Sequence, residues 1–208
     1  MKKINIKDYS TIFIDFDGTI KQSDEVKGKL FYEIFGGINL KLKKKIYNHH
    51  INNLGISRNI KIPTYIKYCQ IVSNDVNKKF YTKKYTRLIF EKVCKSRWVP
   101  GVIKFFKTNK EKKFVLVTAS PQNEIKKILK KIKIINLFQK VYGYPNKKII
   151  AVKNHIYYNK LIHKKCLYIG NSISDYSAAK YNKILYINIG LKKINKRNVI
   201  NIKNFTYF

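Results

Sequence analysis

The chain contains several short apolar runs rich in β-branched residues, separated by segments in which apolar residues recur at helical spacing. Runs of this kind predict buried strands, whereas a spacing of three or four residues predicts helices. The strand-like runs cover residues 11–15, 113–118, 140–142, 166–169 and 184–189, and the helical segments cover residues 102–109, 121–131, 148–157 and 174–181. Because strands that alternate with helices form parallel sheets, this order predicts an α/β fold with a doubly wound parallel sheet.

Residues 21–98 show a different pattern, without a strand of comparable strength. Amphipathic segments near residues 25–35, 40–48, 59–72 and 77–93 predict four helices, and Pro100 and Gly101 mark the exit from this region. We therefore expect a catalytic core formed by residues 1–20 and 99–190, with a helical cap inserted at residues 21–98. Residues 191–208 form a basic tail, to most of which we assign no regular structure.

The formal net charge of +34 is typical of proteins that bind nucleic acids. However, lysines occur in nearly every segment, Arg is scarce, and the chain is rich in the residues that A/T-rich codons encode. We attribute the charge to codon usage and expect no specific nucleic-acid partner, with a basic nucleic-acid-binding domain as an alternative.

No apolar run approaches the length needed to cross a membrane, and the polar N-terminal residues lack the pattern of a signal peptide. The three cysteines, Cys69, Cys94 and Cys166, form no CxxC pair and are expected to be reduced thiols. These features predict a cytoplasmic protein with no membrane partner.

Two aspartates, Asp15 and Asp17, follow the first predicted strand in the sequence DFDG. Because strand side chains alternate, both carboxylates project to one side of the backbone while Phe16 points to the other. Gly18 allows the chain to turn closely at this point. Two carboxylates so close together repel each other unless a cation or a proton intervenes, and Mg²⁺ is the natural cation for an oxygen-only site.

The segment from Asp15 to Thr19 resembles the first motif of the haloacid dehalogenase superfamily of phosphotransferases. The resemblance implies that Asp15 attacks phosphorus and forms an aspartyl-phosphate. It implies that Asp17 protonates the leaving oxygen and later activates water. Asp15 and the main-chain carbonyl of Asp17 would also hold Mg²⁺, and Gly18 would leave room for the phosphate.

Two later segments match the second and third motifs of the same superfamily. FVLVTAS places Thr118 at a strand end, where the resemblance implies a hydrogen bond to a phosphate oxygen. GYPNKK selects Lys148, with Lys147 and Lys153 as rivals, as the ammonium that offsets charge between the nucleophile and the phosphoryl oxygens.

The fourth motif reads LYIGNSISDY and departs from the superfamily pattern at one position. Gly170 and Asp175 are present, but Asn171 stands where the superfamily usually has a metal-binding Asp. An Asn amide oxygen can bind Mg²⁺ without contributing charge. We therefore expect a weaker metal site formed by Asp15, Asp17, Asn171 and Asp175, with Asp175 as a candidate replacement for the missing charge. A catalytically weakened binding protein is the alternative.

Within the insertion, HHINNLGISRNIK resembles the specificity loop of the beta-phosphoglucomutase-like group. His50 and Asn53 fit the spacing of that group's His and Asn ahead of a Gly-Ile-Ser-Arg turn. The resemblance implies that Arg58 binds an anionic or hydroxyl-rich part of the substrate, assisted by His50 and Ser57.

Together these motifs predict a haloacid dehalogenase-like, Mg²⁺-dependent phosphatase that acts on a small phosphorylated metabolite. The resemblance favours a sugar phosphate or a phosphoglycolate-like substrate, held beneath a cap that excludes water. The nearest alternative is a sugar phosphomutase in which Arg58 holds a second phosphate. Retention of both Asp15 and Asp17 favours an enzyme over either binding alternative, and the oligomeric state stays open.

Overall fold

A computed structural model describes residues 5–208, which form a parallel sheet of six strands with helices on both faces. The strands are β1 (Thr11–Ile14), β2 (Lys113–Pro121), β3 (Phe138–Tyr144), β4 (Cys166–Gly170), β5 (Leu185–Ile189) and β6 (Val199–Ile202). They lie in the order β3-β2-β1-β4-β5-β6, and every neighbouring pair is parallel. The predicted α/β, doubly wound fold is confirmed.

Eight α-helices accompany these strands within residues 5–208. They are α1 (Asp24–Glu33), α2 (Leu40–Asn52), α3 (Arg58–Tyr68), α4 (Asp75–Lys95), α5 (Val102–Thr108), α6 (Gln122–Lys131), α7 (Lys148–Tyr158) and α8 (Ile173–Tyr181). The predicted helices and strands therefore occur at the expected places, with ends that differ by a few residues.

Side-chain alternation along β1 divides the core between the two faces of the sheet. Phe13 packs in a cluster with Val152 of α7 and Ala178 of α8. Ile12 and Ile14 belong to a larger cluster that includes residues of α5 and α6. Because both faces of the central strands are covered, these strands are apolar along their whole length rather than alternating between apolar and polar residues.

Helices α1–α4 form the cap, which lies between β1 and α5 in sequence. Their apolar side chains, including Phe31 and Tyr85, are buried in the same cluster as one face of the sheet. The two chain segments that join this region to the sheet pair with each other, since Lys21 and Trp98 form an antiparallel bridge. The Val99 amide also donates to the Ile20 carbonyl at 3.0 Å. This pairing supports the proposed cap boundaries at residues 21 and 98.

The C-terminal tail contains a strand that the sequence analysis does not predict. β6 pairs with β5, and Ile202 and Phe205 are buried in the larger cluster. β6 has only four residues, and the surrounding Lys and Asn residues obscure its apolar pattern. β6 is stabilised by its backbone hydrogen bonds with β5, and this pairing cannot be predicted from composition alone.

The three cysteines are free thiols, as predicted. Within residues 5–208, none of the helices combines the length and apolar character that a membrane-spanning segment needs.

Candidate active site

A cavity lies at the carboxyl ends of β1, β2 and β4, the usual position of ligand sites in open parallel sheets. The cap covers it with residues of α1, α2, α3 and α4. Its volume is about 50 Å³, which corresponds to about three or four water molecules. Core residues with functional groups in its wall are Asp15, Asp17, Thr118, Ser120, Lys148 and Asn171, and those from the cap are Asp24, Lys27, His50, Arg58 and Lys61.

Asp15 occupies the end of β1 and is 3% exposed. Its Oδ1 lies 3.0 Å from Lys148 Nζ, yet this buried oxygen has no aligned hydrogen bond among the described residues. Burial, followed by the charge of Asp175, raises the pKa of Asp15 to about 8, while Lys148 acts in the opposite direction. An additional cation at this position would lower that pKa and favour the ionised carboxylate that a nucleophile requires.

Asp17 has a different environment although it is only two residues away. Ser23 Oγ donates to its Oδ1 at 2.6 Å, and Ser120 Oγ and Lys27 Nζ donate to its Oδ2. Burial alone would raise the pKa of Asp17, but the Lys27 ammonium and these hydrogen bonds lower it. The two carboxylates thus have pKa values shifted in opposite directions, as expected of groups with different roles in one site.

Lys148 begins α7 and lies between two carboxylates. Its Nζ is 2.7 Å from Asp175 Oδ1 and 3.0 Å from Asp15 Oδ1. Burial alone would lower the pKa of Lys148, but these two carboxylates raise it above its ordinary value, so the ammonium stays charged. Its sequence rivals, Lys147 and Lys153, are exposed.

Asp175 is fully buried behind the cavity and is not part of its wall. Its Oδ1 accepts hydrogen bonds from Lys148 Nζ and from Tyr168 Oη at 2.8 Å. Its Oδ2 accepts from the main-chain amide and the hydroxyl of Ser172, which completes the capping box of α8. Because neither oxygen is free, these contacts favour a positioning role for Asp175 over the predicted role of metal ligand.

Gly18, Asn171 and Asp24 meet at a crowded corner beside Asp17. Gly18 has φ +69°, and a Cβ at this position would lie 1.9 Å from Asn171 Nδ2 and 2.1 Å from Asp24 Oδ2. The positive φ favours glycine here, and any larger residue would displace the side chains of Asn171 and Asp24. Asn171 Nδ2 donates to Asp24 Oδ2 at 2.7 Å. The Asp24 carboxylate therefore lies next to Asn171, the position at which the motif would usually have an Asp. Burial, followed by the charge of Asp17, raises the pKa of Asp24 to about 7.

The core residues at this corner fit Mg²⁺ in donor chemistry. Within residues 5–208, no group of three or more His, Cys, Asp or Glu side chains is arranged to hold a metal ion. A site here would therefore combine the carboxylate of Asp15, the main-chain carbonyl of Asp17 and the amide oxygen of Asn171. Mg²⁺ often binds through one or two carboxylates and keeps several waters, so a mixed set of this kind is sufficient.

Arg58 contacts protein groups rather than projecting freely into the cavity. It begins α3, is 6% exposed, and forms an ion pair with Glu124 of α6. Its Nη1 also donates to Thr86 Oγ1 at 3.1 Å, and its guanidinium lies 4.8 Å from the centroid of the Tyr85 ring. Arg58 lines the cavity as predicted, but in this conformation it joins the cap to the core.

His50 also lines the cavity, where it connects two other cap residues. Its Nδ1 is 3.0 Å from Lys61 Nζ, which can only donate, so the ring must donate from Nε2 to the Asp24 carbonyl oxygen at 3.1 Å. Burial, followed by the charge of Lys61, lowers the pKa of His50 to about 3, and the ring stays neutral. Ser57 lies outside the cavity wall and caps α3, so its predicted substrate contact has no support from its position.

Several residues of this cavity were not predicted from the sequence. These are Asp24, Lys27, Lys61 and Ser120. Glu124, which pairs with Arg58 beside the cavity, was not predicted either. Burial distinguishes Lys27 and Lys61, with exposures of 9% and 2%, from most other lysines. The sequence alone did not distinguish these two lysines from the others, because Lys and Arg together account for 45 of the 208 residues.

The model of the haloacid dehalogenase-like hydrolase family matches residues 12–189 of the chain. The matched segment includes all of β1 except Thr11, the cap, and all of the residues that line the cavity. No functionally curated protein shows significant sequence similarity to the chain.

Several solved structures share this fold. A Thermotoga maritima protein assigned as a beta-phosphoglucomutase is 15% identical, with coverage of 95% of this chain and 96% of that one and a TM-score of 0.71. A predicted phosphoglycolate phosphatase from Haemophilus somnus is 18% identical, with coverage of 95% and 89% and a TM-score of 0.70. YfnB from Bacillus subtilis, assigned as a HAD-type hydrolase and crystallised with magnesium, is 14% identical, with coverage of 95% and 96% and a TM-score of 0.73. At these identities the likeness shows the fold.

Proposed function

The chain belongs to the haloacid dehalogenase-like hydrolase family, and we propose that it is a Mg²⁺-dependent phosphatase of small phosphomonoesters. The observation that carries this proposal is the environment of Asp15. Asp15 lines the cavity with its Oδ1 3.0 Å from the Lys148 ammonium, and Asp17, which Ser23 and Lys27 hold, lines the same cavity. Hydrogen bonds engage both oxygens of Asp175, whereas Asp15 has one ion-pair partner among the described residues and borders the cavity.

In the first step, an oxygen of Asp15 attacks phosphorus as the bond between phosphorus and the leaving oxygen breaks. Asp17 donates a proton to that oxygen, which leaves as the alcohol. The lowered pKa of Asp17 depends on Lys27, Ser23 and Ser120. A change in the Lys27 contact on substrate binding would therefore allow Asp17 to carry the proton it donates.

In the second step, Asp17, now ionised, removes a proton from water. The water oxygen attacks phosphorus, the aspartyl-phosphate bond breaks, and inorganic phosphate and the Asp15 carboxylate are released. The Lys27 ammonium, which lies beside Asp17 Oδ2, stabilises the ionised form required for this step.

Two core residues would bind the phosphoryl oxygens, and Mg²⁺ would offset their charge. Lys148 supplies a fixed positive charge next to Asp15, and its two carboxylate partners hold it there. Thr118 lines the cavity at the end of β2, where its hydroxyl can donate to an oxygen of the substrate. Bound through Asp15, the Asp17 carbonyl and Asn171, Mg²⁺ would offset the negative charge of the transferring group.

The dimensions of the cavity support a small substrate. A volume of about 50 Å³ suits little more than a phosphoryl group, so a larger substituent such as a sugar would require the cap to move. The ion pair of Arg58 with Glu124 also provides no free guanidinium for a second phosphate, which disfavours the phosphomutase alternative.

The proposed activity can be tested by measuring phosphate release from a panel of phosphomonoesters, with and without Mg²⁺. We expect release from wild type that needs Mg²⁺, and a fall of about three orders of magnitude or more in Asp15→Asn. Equal turnover by the two proteins would remove Asp15 as the nucleophile. Absence of turnover in wild type together with activity in Asn171→Asp would instead identify a catalytically weakened protein.

A further inference from the structure

Asp24 is a carboxylate of the cavity wall that the proposed mechanism does not use. It is the first residue of α1 and lines the cavity together with Asp15 and Asp17. Lys148 pairs with Asp15, and Lys27 pairs with Asp17. In the part of the chain that the structure describes, by contrast, no Lys or Arg side chain lies within ion-pair distance of Asp24.

The remaining lysine of this wall does not supply the missing positive charge. Lys61 Nζ lies 3.0 Å from His50 Nδ1 and forms no ion pair with Asp24. A carboxylate that is withdrawn from water is normally paired, because its burial without a counter-ion is unfavourable. The surroundings of Asp24 therefore favour a cation that binds from solution.

The amide of Asn171 connects Asp24 to the predicted metal site. Its Nδ2 donates to Asp24 Oδ2 at 2.7 Å, whereas its Oδ1 accepts no hydrogen bond from the described residues. One end of the amide thus holds the Asp24 carboxylate, and the other end is available to a cation. An Asp at residue 171 could not donate to Asp24, and the two carboxylates would repel each other. The loss of charge in the fourth motif and the presence of a carboxylate from the cap are therefore complementary.

A second cavity gives this corner access to solvent. Asp24 and Asn171 line the inner cavity of about 50 Å³ and also an outer cavity of about 510 Å³, whose wall includes Gly18. Protein-bound Mg²⁺ usually keeps several of its waters, and a metal site needs a path by which the ion enters. The outer cavity has room for a hydrated ion directly beside the two side chains.

We propose that Asp24 supplies, as a carboxylate of the Mg²⁺ site, the negative charge that the fourth motif lacks at Asn171. The inference rests on the proposed Mg²⁺ dependence and adds a residue that the sequence motifs do not name. Asp175, the replacement considered from the sequence, has both carboxylate oxygens engaged by protein donors. Because Asp24 belongs to the cap and the other metal-binding groups belong to the core, the bound ion would also join the cap to the core.

Glu25 provides a matched control for the other effects of an acidic residue at this position. Asp24 and Glu25 both lie in the first turn of α1, where a negative charge interacts favourably with the helix dipole. Glu25 is exposed and forms no ion pair among the described residues. Glu25→Gln therefore removes one charge from the same helical turn without altering the proposed site.

Titration with Mn²⁺, monitored by electron paramagnetic resonance of the free ion, measures metal affinity without substrate or turnover. Asp24→Asn keeps the size of the side chain and an oxygen that can accept from Asn171, but it removes the charge. We expect its Mn²⁺ affinity to fall about tenfold or more, because one charge close to the ion is lost. Glu25→Gln should stay within about twofold of wild type, since screening by solvent weakens an exposed charge.

A charge swap separates loss of a ligand from damage to the fold. Asp24→Asn/Asn171→Asp returns the negative charge to the position at which the motif usually has it. We expect this double variant to recover Mn²⁺ affinity to within about threefold of wild type, because the remaining metal-binding groups are intact. Thermal unfolding of each variant establishes that it is folded.

An unchanged Mn²⁺ affinity in Asp24→Asn, or an equal loss in Asp24→Asn and Glu25→Gln, would overturn the assignment of Asp24. A double variant that binds Mn²⁺ as weakly as Asp24→Asn would also contradict it. These outcomes are distinct from failure of the phosphatase proposal, which is judged by phosphate release from wild type. A wild-type protein that hydrolyses phosphomonoesters with Mg²⁺, and whose metal affinity does not depend on Asp24, would be a phosphatase without this ligand.

Discussion

Arg58 of the cap and Glu124 of the core form a buried ion pair beside the cavity. The pair connects the start of α3 with the first turn of α6, the helix that follows β2. A contact of this kind couples the position of the cap to the core, and its opening would admit a substrate too large for the closed cavity.

Replacement of Glu124 by Gln should destabilise the protein by about 3 kcal/mol, because it leaves Arg58 buried without a counter-ion. Urea unfolding monitored by circular dichroism measures this loss. Removal of both charges in Arg58→Met/Glu124→Gln should restore part of the stability, and a double-mutant cycle gives the coupling energy. A coupling energy near zero would show that the pair does not join the cap to the core.

Asp175, which lies outside the cavity wall, should hold the Lys148 ammonium in position inside the cavity. Asp175→Asn removes a charged partner of Lys148 and weakens the capping box of α8, so we expect a loss of about 2–4 kcal/mol in stability. We also expect lower kcat, because Lys148 would no longer be held beside Asp15. Ser172→Ala weakens the same cap while keeping the Lys148 partner, and it should reduce stability without a comparable loss of kcat. Equal effects on kcat in both variants would contradict a positioning role for Asp175.

Lys61 should make stability depend on pH. Its folded-state pKa of about 7 lies below the ordinary value of 10.5, so the unfolded chain binds more protons between these two values. Unfolding free energy should therefore rise between pH 7 and 10 by an amount on the order of a few kcal/mol. Because the whole chain loses positive charge over this range, the informative quantity is the difference between wild type and Lys61→Met. We expect a shallower rise in the variant, and parallel curves would indicate that Lys61 has an ordinary pKa.

Asn171→Asp should raise the affinity for the metal ion and lower the stability of the metal-free protein. The new carboxylate adds charge to the proposed Mg²⁺ site, and we expect affinity for Mn²⁺, measured by electron paramagnetic resonance, to rise about tenfold or more. Without metal, the same change replaces the hydrogen bond from Asn171 to Asp24 with two adjacent carboxylates and should lower the melting temperature. Asn171→Ala, which has no oxygen donor, serves as the opposite control. An unchanged Mn²⁺ affinity in both variants would place the metal elsewhere.

The sequence was sufficient to predict the site residues that lie at the ends of clearly apolar strands. Asp15, Thr118 and Asn171 follow directly from strands whose apolar patterns are clear, and parallel strands bring their carboxyl ends together. Lys148 was selected by its spacing, and burial separates it from Lys147 and Lys153. The cap helices were recognisable from their amphipathic spacing.

Features that depend on tertiary pairing could not be predicted in this way. Glu124 and Arg58 are 66 positions apart, and only the packing of α3 against the core reveals that they are partners. Lys61 differs from most other lysines by its burial in the cavity wall, which tertiary packing creates. β6 likewise depends on its ladder with β5 rather than on its own composition.

The central claim is that Asp15 carries the phosphoryl group during catalysis. Its most direct test is mass spectrometry of acid-quenched protein after brief incubation with 2-phosphoglycolate, ethyl phosphate or p-nitrophenyl phosphate in the presence of Mg²⁺. The account predicts one added phosphoryl group on the peptide that contains Asp15 and none in Asp15→Asn. With p-nitrophenyl phosphate, whose leaving group needs no proton, Asp17→Asn should carry more of it, because hydrolysis of the intermediate slows. A phosphoryl group on another residue, or turnover by Asp15→Asn equal to that of wild type, would contradict it.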